Sequence, residues 1–548
     1  MQKKKVLVVN ESHLLGSGYG TYCNQMLLGL HKLGKYELAE FAIYGFVEDA
    51  ELSNVPWKVY PNAVKEHDKR FHYYIDGRGQ FGEWRFESVV LDFKPDYILD
   101  IRDIYMMDFE NSSVLRDFYS LIQMPTVDSA PQKFDWIEQF ANADSILTYT
   151  EFGKETLEKE GGGKINVVGV GSCGVDVGTF RPYYPKDKIK EACGISKDSY
   201  IVGTVMRNQP RKLYPDLFES FRIFLDNCKN IDLKDNTYLY IHSSFPDVGW
   251  GFDELVSTFG LHSKVLFTYY CNRCKSCFPS FFNDIRTNCI HCNDFTAMMP
   301  STKNSPNKEQ LAKIYNCFDL YVQMVTNEGF GIPVIEAASC GVPICATNYS
   351  SLPEIIRNTD GYPIKIDRMF LEHNLNAYRA YPSKEHTAQI IEEFLSLPYS
   401  VRSYKGFNAR LGVLKNYTWE KVIKNWENAI DNANPAKRKW DEPPKFLSTY
   451  PPDKIELLNN LTNSEFINEL ISKYLKNTDF LDCYEAAKYL AQINTKVVME
   501  GNIRSKVSRE SILQQINDRI NKYNKCEEIR CGFAFQSDED YLNFGFGK

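Results

Sequence analysis

Apolar residues in this chain come as short runs of strand length, separated by stretches with helical periodicity. In the first 180 residues the runs are 6–9, 95–101 and 145–150. Helical patterns follow at 22–33, closed by Gly34, and at 153–160, closed by Gly161-Gly162-Gly163. A glycine just past a periodic stretch marks a helix end. A second series opens with the run 200–205. It continues through helix 217–227, strands 237–242 and 264–270, helix 308–317, strand 320–324, helix 333–340 and strand 343–346. Strands alternating with helices build a parallel sheet covered on both faces. Two such series predict an α/β chain with two doubly wound, Rossmann-like domains, 1–180 and 195–430, facing each other across a cleft. Such sheets bind ligands at the carboxyl ends of their strands, so the loops after the strands are the places to look. Beyond Ile430 the pattern changes. Residues 434–444 read as a linker and the remainder as Asn- and Ile-rich helix, so 433–548 is expected to be a linker with a helical appendage. No repeat of fixed period is present.

Composition narrows the class. At 548 residues the chain exceeds one core, and roughly three or four domains are the expectation. With 43% hydrophobic and 25% charged residues it is not largely disordered. No apolar stretch reaches the ~18 residues of a membrane span. The run 6–9 is too short for a signal peptide. No transmembrane segment and a cytoplasmic location are therefore expected. A net charge of −7 argues against a polyanion binder by composition, leaving only local basic patches. Fifteen cysteines without a secretion signal point to a reducing compartment, with free thiols or a metal.

The sharpest motif is Asn327-Glu328-Gly329-Phe330-Gly331-Ile332-Pro333-Val334-Ile335-Glu336-Ala337. A strand runs into two glycines, and Pro333 stands where a first helical residue belongs. The glycines let backbone N–H groups approach a ligand, and a helix N-terminus favours negative charge. Glu328 and Glu336 flank the turn, and carboxylates accept hydrogen bonds from vicinal hydroxyls, so the arrangement suits a sugar attached to phosphate. A plain strand-turn-helix with a capping glutamate is the competing reading. Arg207 and Lys212 follow the first strand of the second series and belong at the same sheet edge. An Arg fork and a Lys point charge there fit phosphate oxygens.

Taken together, these pieces resemble the retaining glycosyltransferases of family four, which have the GT-B fold. Arg207 and Lys212 match that family's cations on the donor diphosphate, and Glu328 and Glu336 its paired glutamates. The stretch 309–320 is similar to the helix before them, and 351–356 to the segment after the next strand. The run 173–182 resembles the interdomain signature, with Cys173 in place of the usual Asn. Gly18 and Gly20 resemble the N-terminal glycine loop beside the phosphate. Tyr417-Thr418-Trp419-Glu420 is similar to the start of the last helix, which crosses back to the first domain. The resemblance implies a nucleotide-diphosphate sugar as co-substrate. Glu336 would hold the ribose and Glu328 the transferred sugar. The N–H groups of Gly329, Phe330 and Gly331 would orient that sugar. Arg207 and Lys212 would stabilise the departing diphosphate, and no catalytic metal is then expected. The Asp-x-Asp pattern Asp538-Glu539-Asp540 near the C-terminus reads as solvated charge. Many family members carry a His after a first-domain strand. Here Asp128 stands in the corresponding stretch, either as a sugar ligand or as a turn cap, and His13 is a second candidate.

Cys271-x-x-Cys274 and Cys289-x-x-Cys292, with fourteen residues between them, have zinc-ribbon spacing. Four thiolates make a closed tetrahedral site, structural rather than catalytic. A zinc-ribbon insertion at 268–298 is expected. Cys277 offers an alternative Cys-x-x-Cys with Cys274, and His291 is not expected to ligate. In the appendage, 482–490, 501–504 and 531–535 weakly resemble small helical DNA-binding modules. Residues 501–530 hold seven Lys or Arg against four Asp or Glu. A packing segment is the preferred reading there. The expected function is a retaining glycosyltransferase acting on an acceptor hydroxyl of a glycan, a lipid-linked sugar or a small molecule. The alternatives are transfer to modified nucleic-acid bases, or a non-catalytic nucleotide-sugar or nucleic-acid binder on the same scaffold.

Overall fold

The computed structural model describes residues 3–301, 304–449 and 509–532, with short pieces between 461 and 503. The first half is a seven-stranded sheet of β1 (Lys4–Glu11), β2 (Tyr36–Phe46), β3 (Lys58–Ala63), β4 (Tyr97–Asp100), β5 (Ser120–Gln123), β6 (Ser145–Thr148) and β7 (Val167–Val170). The order is β3-β2-β1-β4-β5-β6-β7, parallel throughout. Val6 to Val9 are fully buried, as a strand covered on both faces requires.

The second half contains β8 (Tyr200–Val205), β9 (Thr237–His242), β10 (Val265–Cys271), β11 (Cys277–Phe281), β12 (Arg286–Thr287), β13 (Ala297–Met298), β14 (Leu320–Gln323), β15 (Ile344–Thr347) and β16 (Tyr362–Ile364). Its parallel core runs β10-β9-β8-β14-β15-β16. The antiparallel strands β11 and β13 add to β10, and β12 pairs β13. Each half reverses its winding once, between β1 and β4 and between β8 and β14. Those two crevices are where such sheets take ligands. A hairpin absent from the periodicity reading, β17 (Ile366–Glu372) with β18 (Ala377–Pro382), reaches toward the first half, where Tyr378 N donates to the Ala130 carbonyl at 2.8 Å.

The chain passes between the halves twice, along adjacent paths. Val175 N donates to the Tyr417 carbonyl at 2.9 Å. The helix Trp419–Asn432 then packs on the helix Gly18–Leu33, and Trp426 Nε1 donates to Tyr22 Oη at 2.8 Å. A Cβ on Gly29 would lie 2.3 Å from Ile423, so only glycine admits that approach. The stretch read as a linker is anchored rather than free. Trp440 stacks on Phe118 with centroids 4.8 Å apart, and Arg438 reaches Tyr523 and Glu527 of the helix Arg509–Arg530. That helix buries Ile512, Leu513, Ile516, Ile520 and Cys526 in the cluster that also holds Phe86, Val89 and Val90 of the first half. The appendage segments 482–490 and 533–535 and the run 538–540 lie outside the described residues. Of 501–504, Asn502–Ile503 form a short strand with Val498–Met499.

Candidate active site

The loops after β8 and β14 converge at the second switch point. Lys212 pairs through Nζ with Glu328 Oε2. Arg211 Nη1 lies 3.4 Å from Glu328 Oε1 and donates to the Asn327 carbonyl at 3.0 Å. Gln323 Nε2, at the end of β14, donates to Glu328 Oε2 at 3.0 Å. The Glu328 backbone is clamped by one hydroxyl: its N–H donates to Ser350 Oγ at 3.0 Å, and its carbonyl accepts from that oxygen at 2.8 Å. Burial pushes the Glu328 carboxyl up, but Lys212 and Arg211 outweigh it and hold it at about 2. Burial also pushes the Lys212 ammonium down to about 8, with Glu328 pulling the other way. The pair is therefore ionised at neutral pH.

Behind Glu328 the chain turns through Gly329 to Gly331. Gly331 sits at φ +104°, where a side chain would be strained, and the helix Ile332–Ser339 starts at once with Pro333 in its first turn. The two halves touch here. A Cβ on Gly329 would come within 2.6 Å of Thr126 Cγ2, and one on Gly18 within 3.7 Å of Ile332 Cδ1. Glu336, about one turn into the helix, accepts from Tyr315 Oη at 2.8 Å. Burial pushes its carboxyl up to about 7 against the pull of that bond.

On the opposite side, Asp128 bridges the halves. Its Oδ1 accepts from Arg379 Nη1 of β18 at 2.9 Å, and its Oδ2 from Asn327 Nδ2. Tyr19 Oη lies 3.0 Å from Asp103 Oδ1 and 2.7 Å from Thr126 Oγ1. Burial pushes the Asp103 carboxyl up.

The structure thus brings Lys212, Glu328, Gly329, Phe330, Gly331 and Asp128 together, with Gly18 facing them. Arg207 is paired elsewhere, its Nε and Nη2 donating to Asp247 at 2.9 and 3.1 Å. Gly20 is not in a loop: it lies in the first turn of the helix Gly18–Leu33, and a Cβ there would be 2.4 Å from the Leu15 carbonyl oxygen. His13 is buried with Nδ1 2.7 Å from Glu40 Oε2. Arg211, Asp247, Tyr315 and Arg379 were not foreseen. Arg211 adjoins Lys212 and was legible as a basic pair after a strand. Tyr315 lies in the stretch 309–320 but was not singled out within it, and Asp247 and Arg379 carry no local motif.

The four cysteines of the insertion form one group, all sulfurs within 4.8 Å of one another. Cys271 and Cys292 sulfurs are 3.7 Å apart, and those of Cys274 and Cys289 3.6 Å. A tetrahedron of Zn–S bonds near 2.3 Å needs edges of about 3.8 Å, so the donor set fits zinc. Backbone N–H groups also point at the sulfurs, as from His291 N to Cys289 Sγ at 3.4 Å. Cys277 lies outside the group, on β11 opposite Tyr270. His291 packs edge-on against Phe278.

The architecture has solved counterparts along most of its length. A glycosyltransferase from Rickettsia africae aligns over 79% of this chain and 100% of its own, with TM-score 0.54 and 14% identity. Anabaena Alr3699/HepE in complex with UDP aligns over 78% of this chain and 100% of its own, with TM-score 0.52 and 13% identity. The fold is GT-B. Within it, residues 301–375, which hold Glu328, the glycine turn and Glu336, match the family model described as Glycosyl transferases group 1. O-antigen chain mannosyltransferase B of Escherichia coli is 44% identical over 48 residues, 9% of this chain and 13% of the relative. Matches to the curated relatives span 9–29% of those proteins' own lengths. Among the described residues of this GT-B chain, no helix is long and apolar enough to cross a membrane.

Proposed function

We propose that this chain is a retaining glycosyltransferase that moves a sugar from a nucleotide-diphosphate sugar to an acceptor hydroxyl. The observation that carries this reading is the buried, ionised Lys212–Glu328 pair beside the N-terminus of the helix Ile332–Ser339, at the switch point of the second sheet. A departing diphosphate needs fixed positive charge at the moment the glycosidic bond breaks. Lys212 and Arg211 supply it, and Arg207 joins them when phosphate displaces Asp247. The free N–H groups behind Gly329 and Gly331 add partial charge of the same sign. Glu328, held by Gln323 and the two cations, accepts hydrogen bonds from the transferred sugar. Glu336, oriented by Tyr315, accepts from the ribose.

Retention needs either a carboxylate nucleophile under the sugar or departure and attack on one face. Asp128 has both oxygens engaged by Arg379 and Asn327, which favours the second route. The leaving phosphate oxygen then takes the acceptor proton, and no metal is needed for either step. Residues 1–180 would serve the acceptor and 195–430 the donor. Zinc in the four-cysteine group would hold the insertion 268–298 in shape.

A donor screen tests this. The zinc-loaded protein is incubated with UDP-, GDP-, ADP- and dTDP-sugars, mannosyl and glucosyl forms included, and nucleotide release is followed by chromatography. Hydrolysis of one donor, lost in Glu328→Ala with the fold retained, is expected. No hydrolysis and no donor-induced change in melting temperature would overturn the reading.

A further inference from the structure

At the carboxyl edge of the first sheet, loops from distant parts of the chain gather acids and aromatic rings. Glu11 ends β1, Tyr44 lies near the end of β2, and Asp103 and Tyr105 follow β4. This is the switch point of the sheet, where open α/β sheets take ligands. Asp103 accepts from Tyr19 Oη at 3.0 Å through Oδ1, and its Oδ2 lies 3.4 Å from Tyr105 Oη. Tyr105 is half exposed and meets Phe81 edge-on, with centroids 5.9 Å apart. Burial pushes its hydroxyl up, and Asp103, Tyr44 and Glu11 push it the same way. Glu11 accepts from Ser17 Oγ through Oε2, and its Oε1 has no hydrogen-bond partner among the described residues. The edge adjoins the Glu328 turn. Tyr19 Oη also lies 2.7 Å from Thr126 Oγ1, and Thr126 Cγ2 is the atom that a Cβ on Gly329 would strike.

Charge decides what this edge can hold. Among the described residues, neither Glu11 nor Asp103 has a Lys or Arg within ion-pairing distance. Arg102 is fully buried, and its guanidinium is spent on Asp100, Glu110 and the Phe81 carbonyl. Across the cleft, Arg379 is spent on Asp128 and Glu372 at 2.9 and 2.6 Å. Arg211, which stays part-exposed, belongs to the Glu328 turn. A phosphate group or a nucleic-acid backbone needs Arg or Lys to hold it. Here it would meet two acids instead, and an unpaired like charge rejects a ligand as firmly as a good contact selects one. A neutral sugar ring supplies what the edge lacks. Its hydroxyls donate to the carboxylates and exchange hydrogen bonds with the tyrosines, and its apolar C–H face suits the half-exposed Tyr105 ring.

We infer that this edge selects an uncharged carbohydrate as the acceptor, with Glu11 and Asp103 accepting hydrogen bonds from its hydroxyls and Tyr105 packing on its ring. The inference rests on the transfer reaction proposed above, but it is tested by binding without a donor, so the two can fail separately. Full-length protein is titrated with the methyl glycosides of mannobiose, maltose and lactose, and with the same glycosides bearing one phosphate. Binding is read by saturation-transfer NMR. At least one neutral glycoside should bind, and its phosphorylated form should bind about tenfold or more weakly. Glu11→Gln with Asp103→Asn should weaken the neutral sugar about tenfold and narrow the gap to the phosphorylated one, which a purely structural role would not do. Tyr105→Ala should weaken the neutral sugar as well. Phosphorylated glycosides that bind as tightly as the neutral ones, or no binding of any of these sugars, would overturn the inference even if a donor is hydrolysed. So would an acid-pair variant that leaves the gap unchanged. Selective binding of a neutral sugar with no donor hydrolysed would overturn the transfer reading and leave the neutral-sugar site standing. If the acid pair misfolds, the wild-type comparison and Tyr105→Ala still decide.

Discussion

The two sheets share one winding order but treat charge oppositely at their carboxyl edges. At the end of β4, Arg102 donates to Asp100 at 2.9 Å and lies 3.2 Å from Glu110, and all three side chains are fully buried. Burial and the neighbouring Asp100 push the Glu110 carboxyl well up. That group is complete in itself, with two carboxyls sharing one guanidinium. At the end of β8 and β14 the cations outnumber the carboxylate they hold, and Arg211 keeps 38% of its side chain exposed. The same winding order in the parallel cores thus goes with a sealed ionic group on one side and part-exposed charge on the other.

The largest way to break that contrast is to unbalance the sealed side. Arg102→Leu leaves two carboxyls buried without their partner and should cost about 3–5 kcal/mol in urea unfolding, with donor affinity retained in the folded fraction. On the open side, Glu328→Gln should lower nucleotide release roughly 10²–10³-fold while the protein remains folded. The pH profile sharpens the comparison next. The Lys212 ammonium is the working form and loses its proton above about 8, so kcat/KM should fall as pH rises past that point, by about tenfold per unit. In Lys212→Arg the falling limb should move to higher pH, because a guanidinium stays charged. The smallest effect is expected at Arg207, which is half exposed and occupied by Asp247. Arg207→Ala should raise donor KM roughly fivefold, and Asp247→Asn, which frees the arginine, should lower it.

Much of this was readable from residues. Strand-length runs marked β1, β4, β6, β8, β9, β10, β14 and β15, because strands buried on both faces must be apolar without interruption. The strands β2 and β3 carry Glu37, Glu40, Lys58 and Asn62 within them, so their pattern is broken and they were not singled out. The hairpin β17–β18 lies half exposed and lacks a clean period. The edge around Glu328 was legible since its geometry is local: strand, glycines and helix follow one another in sequence. The facing edge was not. Tyr19, Asp103 and Thr126 meet across more than 80 residues of chain, and Asp128 meets Arg379 across 251. The zinc-type cluster was legible because two knuckles announce it in sequence.

The paired passages between the halves have a mechanical consequence. Two adjacent crossings joined at Val175 and Tyr417 would act as a single hinge pin, about which one half could swing against the other but not slide past it. The bond from Trp426 to Tyr22 lies on a helix anchored to the first half at the pin and would survive the swing. The distant latches would open instead: Asp128 with Arg379, Ala130 with Tyr378, and Glu151 N with the Glu354 carboxylate at 2.9 Å. The bond from Asn327 Nδ2 to Asp128 would open with them, so all of the cross-half contacts at Asp128 would be lost together.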